Sequence, residues 1–440
     1  MVKVGFSKIS LDTAADEERV VNESIEGVFL YLDDGQSRAL WATLDYMDFN
    51  KKYTDTVRGK ISERTSLPEE CIHVLTTHNH GGGKPDTERL AELCAKGAAL
   101  AIASSKPAKM RYKFTEVDRK VSILRRLYIP EIEGVSTVYY GSCEKNGFDS
   151  SIYKENVITA MKEGRECHVI ADSNNTAPVP FTEGDRELFV AEFTDYSGSP
   201  IGSIVRFASH AVCANRPGVY SSDYPYYVRK TMEEGFGGTS LFLNGPCGEI
   251  APAMSDKFEG RERTLGAYLA SSALEAVKDE EYTELKAFSD EKKKIMLPMR
   301  NEVLRMKVDI PESMPKALPE IRRYLEKKAL ERTLPFLDEK YREGESTVSE
   351  SIPVYIGLLG LNDLLITAFP GETFNKTARA VKDAFPEKKI VTVTEHERTA
   401  MYLPPKEDFD LGGYETVCKL TAREAEDVLR YNVINFLSQK

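Results

Sequence analysis

The chain has 440 residues and a formal net charge of −11, with 41% hydrophobic and 29% charged residues. This composition excludes collagen-like, disordered and low-complexity proteins, and the length is sufficient to bury a large core. The acidic balance argues against nucleic acid or an anionic membrane surface as a partner, because the chain has no positive surplus to neutralise either of them.

The amino-terminal residues and the hydropathy of the chain predict a cytoplasmic protein without a membrane span. Residues 1–8 lack the apolar run of a signal peptide, and no stretch approaches the roughly 18 apolar residues that a spanning helix needs. The seven cysteines are odd in number and form no CxxC pair. They therefore predict free thiols in a reducing compartment.

Strand-like and helix-like segments alternate along the chain, which predicts an α/β fold with a mixed β-sheet core flanked by helices. Two hairpins are predicted, one from strands at 27–32 and 39–44 around Asp34-Gly35, and one from strands at 188–193 and 201–207. Other predicted strands are 71–77, 239–243, 364–369 and 390–394. Predicted helices are 86–104, 261–278, 374–385 and 422–436.

The segment around 280–350 differs from the rest, because charged residues dominate it and prolines interrupt it. We predict a helical insertion there, on the surface and without a catalytic role. Neither an internal repeat nor a clear linker is visible in the sequence. A single domain over 1–440 is therefore the preferred interpretation.

Two of the six histidines form a His-x-His motif, with His78 and His80 directly after the predicted strand 71–77. Residues two apart in an extended chain face the same way, so both imidazoles are predicted to serve one site. The glycines that follow, including Gly81 and Gly82, let backbone amides approach a ligand closely. The start of the next helix favours an anion or a developing oxyanion. The alternative is a polar turn with two solvated histidines.

His210 and Glu372 repeat this placement at the ends of two other predicted strands. Open α/β sheets bind ligands beyond the carboxyl ends of their strands. Two histidines, one carboxylate and an open position form a common catalytic zinc shell, and His78, His210 and Glu372 provide that set. The alternatives are a structural histidine at 210 and an acid in the first turn of a helix at 372.

Other polar positions allow more than one interpretation. Asn244 follows a predicted strand, and it either contacts substrate or builds the turn. The triplet Glu395-His396-Glu397 is metal-like in composition, but we predict a solvated loop. His73 lies inside a strand and is predicted to be a core or interface histidine. Tyr402 alone is predicted to be a packed aromatic residue, because tyrosine is a poor metal ligand unless a cation lowers its pKa of about 10.

These motifs, in this order, resemble the amino-terminal catalytic region of the neutral/alkaline ceramidase family. The matching segments are Lys3–Ile9, His78–Gly82, Phe207–His210, Ser222–Pro225, Asn244–Pro252, Pro370–Glu372 and the tyrosine pair Tyr402 and Tyr414. The family consists of zinc-dependent amidases. The zinc ligands that the resemblance implies are His78, His210, Glu372 and Tyr402. It also implies that His80 contacts substrate or transfers protons, and that Tyr414 helps to stabilise the oxyanion.

The chain departs from the family at several points. Ala251 stands where the family has a serine, and the arginine that the family carries between its two histidine motifs has no assigned counterpart. Because the chain ends near residue 440, no carboxyl-terminal immunoglobulin-like domain is expected. The lack of membrane features argues against ceramide itself as the substrate.

Three functions are compatible with this pattern. The first is a zinc-dependent hydrolase that uses metal-activated water, His80 and Tyr414 to cleave an amide (N-acyl) bond of a small molecule. The second keeps the metal and acts on a soluble polar substrate such as a sugar derivative or an ester. The third is a non-catalytic binding protein on the same scaffold, which Ala251 and the missing arginine suggest.

Overall fold

The structure is a computed structural model that describes residues 1–14, 20–118, 121–129, 134–137, 184–214, 218–252, 260–300, 350–397 and 400–440. Its three larger sheets share one connectivity, in which two antiparallel strand pairings are followed by a parallel one. The strands of this pattern are Lys3–Ser10, Glu26–Asp33, Arg38–Leu44 and Ile72–Thr76 in the first unit; Lys109–Glu116, Glu187–Thr194, Pro200–Phe207 and Thr239–Asn244 in the second; and Phe288–Pro298, Ser351–Leu361, Leu364–Ala368 and Lys389–Val393 in the third.

In each unit one helix connects the two parallel strands and a second helix follows the last strand. These pairs are Lys51–Thr65 with Thr87–Ala103, Asp223–Gly235 with Arg261–Val277, and Asn375–Asp383 with Ala425–Leu437. Shorter helices are Asp12–Ala14, Glu69–Cys71, Lys406–Asp410 and Tyr414–Val417. Shorter strands are Val20–Val21, Lys106–Pro107, Ser122–Leu124, Arg126–Ile129, Gly134–Thr137, Val219–Tyr220, Ile250–Pro252, Thr283–Glu284, Glu372–Thr373 and Tyr402–Leu403.

Local sequence explains where these elements begin and turn. The first hairpin turns at Gly35, which has a φ of 89° that a residue with a side chain rarely adopts. The helix Thr87–Ala103 begins after Asp86, whose side chain accepts the backbone N–H of Arg89. The two hairpins predicted from sequence are confirmed by the antiparallel pairings of their strands.

Both faces of each sheet pack against apolar side chains, and successive residues of a strand point to opposite faces. In the strand Glu26–Asp33, Leu30 and Leu32 face a core to which all three sheets contribute, whereas Phe29 and Tyr31 pack under the helices of the first unit. The other two sheets have their own helix-covered outer cores. The loops that follow the strands Ile72–Thr76, Pro200–Phe207 and Leu364–Ala368 contact one another.

Ion pairs join the units at their seams. The helix between the parallel strands of each unit carries a cation that reaches a carboxylate of another unit. The pairs are Arg58 with Glu397, Arg229 with Asp45, and Lys382 with Glu187. The repeated topology and these repeated pairs form a threefold pattern that the sequence itself does not display.

The α/β prediction is confirmed, but the helical insertion around 280–350 is wrong in its first part. Phe288–Pro298 is an edge strand of the third sheet. Its charged residues reflect strand alternation, since Asp290 and Lys292 point into a seam while Ile295 and Leu297 pack against the outer helices. The rest of the predicted insertion, 301–349, lies outside the described residues. Across the described ranges, no helix has both the length and the apolar character needed to cross a bilayer.

Candidate functional site

His78 and His80 lie in the loop that follows the strand Ile72–Thr76. His78 has a φ of 58°, a left-handed conformation that costs a residue with a side chain about 1–2 kcal/mol. The two imidazole rings are nearly perpendicular, with 3.4 Å between their Nε2 atoms. The prediction that an extended chain directs both rings to one side is wrong, because the backbone turns at His78 instead.

Glu372 and Tyr402 lie opposite each other where the short strands Glu372–Thr373 and Tyr402–Leu403 pair in parallel. The Oε2 atom of Glu372 is 3.3 Å from Nε2 of His78 and 3.1 Å from Nε2 of His210. The Oη atom of Tyr402 is 3.3 Å from the same nitrogen of His210. All four side chains are buried. Residues far apart in the sequence and from three units therefore meet at one point.

Backbone carbonyls hold the Nδ1 atoms of both His78 and His210. Nδ1 of His78 lies 3.0 Å from the Met47 carbonyl, and Nδ1 of His210 lies 2.9 Å from the Ile250 carbonyl. A carbonyl only accepts, so in its neutral form each ring is inferred to carry its proton on Nδ1 and to present a lone pair at Nε2. These lone pairs point at the same carboxylate oxygen, which also only accepts. Three acceptors at contact distance require a shared proton or a cation between them.

The pKa values of these three side chains follow from their burial and their short distances from one another. Burial alone would lower the pKa of His78, but the carboxylates of Glu372 and Glu395 raise it to about 9. Burial raises the pKa of Glu372, yet the two facing imidazoles outweigh that effect and hold it well below its usual range. Burial lowers the pKa of His210 to about 4, with the Arg125 guanidinium adding to the effect. At pH 7 the metal-free cluster therefore keeps its shared proton on His78, and the positive charge of His78 stabilises the Glu372 carboxylate.

The donor set suits a zinc ion. Zinc is bound in proteins by imidazole nitrogen and carboxylate oxygen, commonly with two histidines and one glutamate at catalytic sites. Ligand atoms of His78, His80 and His210 all lie within 4.8 Å of one another. A doubly charged cation would also satisfy the converging acceptors, so these residues fit the metal that the sequence resemblance implies.

His80 and Tyr414 border this group. Burial and its cationic neighbours hold the pKa of His80 well below its usual range, so its ring is neutral at pH 7. The Tyr414 ring contacts the Tyr402 ring edge-on, with 5.6 Å between centroids. Tyr414 is only half-buried, whereas Tyr402 is buried.

Arg125 is a member of the site that the sequence reasoning missed. Its Nη2 donates to the Tyr402 hydroxyl and to the Gly248 carbonyl, and its Nε donates to Glu415, each at 2.9 Å. The strand Ser122–Leu124 pairs with Ile250–Pro252, and this pairing places Arg125, the next residue, beside the site. It lies between the two histidine motifs in sequence, and the only signal was a pair of arginines inside an apolar stretch, 123–129.

Gly81, Gly82 and Asn244 were predicted to bind substrate, and the protein itself accounts for each of them. A Cβ atom on Gly81 would come within 2.5 Å of the Ser221 carbonyl oxygen, and one on Gly82 within 2.3 Å of the Asp45 carbonyl oxygen. The amide of Asn244 donates to the Thr77 carbonyl. These contacts explain the residue types by packing, and a role in substrate binding stays a prediction.

A second group of histidines lies at the seam between the first and third units. We call it the seam cluster; it consists of Arg58, His73, Asp290, Lys292, His396 and Glu397. Nδ1 of His73 is 2.9 Å from Nε2 of His396, and Nε2 of His73 is 3.0 Å from Asp290. The prediction of a solvated loop at 395–397 is wrong, because Glu395, His396 and Glu397 are 3%, 0% and 3% exposed.

Comparisons with known proteins identify the fold. No protein-family model matches the sequence, and no curated protein matches it. A structure of a ceramidase complexed with C2 is similar with a TM-score of 0.67 and 14% identity, over 98% of this chain and 74% of that one. The neutral ceramidase from Pseudomonas aeruginosa is similar with a TM-score of 0.65 and 12% identity, over 98% of this chain and 73% of that one. The resemblance inferred from sequence is therefore confirmed at the level of the fold.

Proposed function

We propose that this chain is a zinc-dependent hydrolase that cleaves an amide (N-acyl) bond of a small molecule. The observation that carries the proposal is the meeting of His78, His210 and Glu372 with acceptor atoms directed at one point. The ceramidase fold of the chain supports the same reaction class. The proposed zinc ligands are His78, His210, Glu372 and Tyr402.

When bound, zinc polarises a carbonyl oxygen and lowers the pKa of a water molecule to about 7. The chain's own residues supply the proton transfers. His80 is neutral because burial lowers its pKa, so a ring nitrogen accepts the proton of the attacking water. The same nitrogen returns that proton to the leaving amine. Water thus adds across the C–N bond, with its hydroxyl on the acyl carbon and its proton on the amine.

Tyr414 and Arg125 complete the proposed machinery. The Tyr414 hydroxyl donates a hydrogen bond to the oxyanion that develops from the carbonyl oxygen. Arg125 donates to the Tyr402 oxygen at 2.9 Å, which orients that oxygen and favours its negative charge. Burial raises the pKa of Tyr402 and the guanidinium opposes that effect. Arg125 therefore helps a tyrosine to act as an anionic ligand.

The test compares metal-stripped and zinc-reloaded protein on N-acyl amides with acyl chains of graded length, together with the matching esters. Amide hydrolysis that zinc restores supports the proposal, and the chain-length profile then reports how apolar the acyl pocket is. Hydrolysis of esters alone would favour the soluble polar substrate. Bound zinc without any turnover would favour the binding protein.

A further inference from the structure

The triplet Glu395-His396-Glu397 divides its side chains between two places. Glu397 pairs with Arg58 and Lys292, and His396 bonds His73, so both belong to the seam cluster. Glu395 faces the other way. Its Oε1 atom lies 3.5 Å from Nδ1 of His78, the nitrogen on the side of the ring away from Glu372.

The backbone around Glu395 is fixed from two sides. Its carbonyl accepts the Thr76 N–H of the first unit at 3.2 Å, and its own N–H donates to the Gly371 carbonyl of the third unit at 3.4 Å. Its φ is 56°, in the left-handed region that a residue with a side chain rarely adopts. Such conformations persist where the surroundings determine them, and they cluster at functional sites.

His78 and His210 differ in the groups that contact their Nδ1 atoms, and this difference indicates the role of Glu395. Nδ1 of His210 faces the Ile250 carbonyl. Nδ1 of His78 faces the Met47 carbonyl and, in addition, the carboxylate of Glu395. A neutral carbonyl is enough to fix the tautomer, whereas a carboxylate adds negative charge behind the ring. That charge makes the opposite nitrogen a stronger electron donor.

We propose that Glu395 is a positioning residue that orients the His78 ring and strengthens its Nε2 as a metal ligand. This inference rests on the proposed zinc site. It predicts that a carboxylate outside the ligand set controls metal affinity through His78. It also explains why a glutamate is buried in a strained backbone conformation beside a ring that a carbonyl already holds.

The test measures the zinc dissociation constant by competition with a chromophoric chelator at fixed pH. Glu395→Gln keeps the size of the side chain and removes its charge, and we expect zinc affinity to fall about 10–100-fold, as it does when outer-sphere partners of metal ligands are replaced. Glu395→Asp keeps the charge but moves the carboxylate away from His78, and it should lose less zinc affinity than Glu395→Gln. The matched control is Glu426→Gln, a buried carboxylate bonded to Thr377 and Arg430 on the outer helices, and it should bind zinc as the wild type does.

A structural role alone would give a different result. In that case Glu395→Gln would lower the thermal midpoint of the metal-free protein, and zinc affinity would equal that of the wild type and the control. That outcome would overturn the inference while leaving the zinc site intact. A wild-type chain that binds no zinc would contradict the proposed function, and the inference with it.

Discussion

Two buried clusters of histidines and carboxylates lie close together in this fold, and their proton arrangements differ. In the candidate site, backbone carbonyls accept hydrogen bonds from both Nδ1–H groups, so the neutral rings of His78 and His210 would present lone pairs to Glu372. In the seam cluster, the nitrogens of His73 and His396 face each other at 2.9 Å. The first arrangement leaves a need for positive charge, whereas in the second every ring nitrogen has a partner within the protein.

The two clusters also differ in the fixed positive charges beside their carboxylates. Glu397 is already paired with Arg58 and Lys292, whose positive charges outweigh burial and lower its pKa to about 2. A dication bound by Glu397 would be repelled by the guanidinium of Arg58 and the ammonium of Lys292. Proximity of metal-ligating residue types is therefore not sufficient to identify a metal site. The partner of each ring nitrogen, and the nearest fixed cation, decide between a metal centre and a structural network.

The largest contrast between the clusters is expected from one alanine substitution in each. In His78→Ala, zinc affinity should fall by more than the roughly 100-fold that outer-sphere changes produce, and turnover should disappear with it. In His396→Ala, zinc should be retained, and only the free energy of unfolding should fall. Zinc analysis and urea unfolding of both variants check this. Retention of stoichiometric zinc in His78→Ala would remove His78 from the ligand set.

His80→Gln separates metal binding from proton transfer within the candidate site. Loss of a general acid–base group lowers turnover by about 10²–10⁴-fold, while the zinc content should stay that of the wild type. Steady-state kinetics on the best N-acyl substrate measure the first quantity and elemental analysis the second. Loss of zinc together with activity would make His80 a ligand and leave the proton transfer without a donor.

Lys292→Met probes the seam cluster alone. The variant leaves the buried carboxylate of Glu397 with one cation instead of two, and breaking a buried pair of this kind costs about 3–5 kcal/mol. We expect the free energy of unfolding to fall by about 3 kcal/mol, the lower end of that range, because Arg58 remains. Urea unfolding measures it, with exposed Lys294→Met on the same strand as the control. Equal stability of the two variants would show that Glu397 does not depend on Lys292.

Asp290→Asn should change how stability depends on pH. Burial raises the pKa of Asp290 to about 7, above the value of about 3.9 in an unfolded chain. The folded protein thus keeps a proton that the unfolded chain releases, and the stability from this group is lost as the pH rises from about 4 through about 7. Asparagine can make the same bonds to Trp41 and His73 without titrating.

The stability of Asp290→Asn relative to wild type should therefore rise between pH 5 and pH 8, by on the order of a few kcal/mol. Unfolding curves of both proteins across this window provide the measurement. A difference that stays constant with pH would mean that Asp290 is ionised throughout, as an ion pair with a charged His73.

The sequence predicted those parts of the molecule that depend on local pattern. The strands that precede His78, His210 and Glu372 are short, apolar and bounded by turn residues, so their ends could be located, and the three side chains indeed lie beyond them. Tyr402 was implied by the family resemblance alone. Its position depends on a pairing with Glu372 that spans only two residues of each strand, too short to leave a pattern.

The remaining features depend on contacts between units. Arg125, Glu395 and Glu397 are charged residues that are buried because their partners lie far away in the chain, and hydropathy alone assigns such residues to the surface. The strand Phe288–Pro298 was mistaken for part of a helical insertion for the same reason, since its charged residues Asp290 and Lys292 point into the seam. The threefold topology is invisible because its units share pairing order rather than residues.

We propose above all that the converging acceptors of His78, His210 and Glu372 hold a metal ion. The most direct test is elemental analysis of the untagged chain, purified without chelator and again after zinc is offered and the excess removed. We predict about one zinc per chain, bound at the site that His78→Ala destroys. A chain that remains free of zinc under both conditions would contradict it, and a proton shared among the acceptors would then replace the cation.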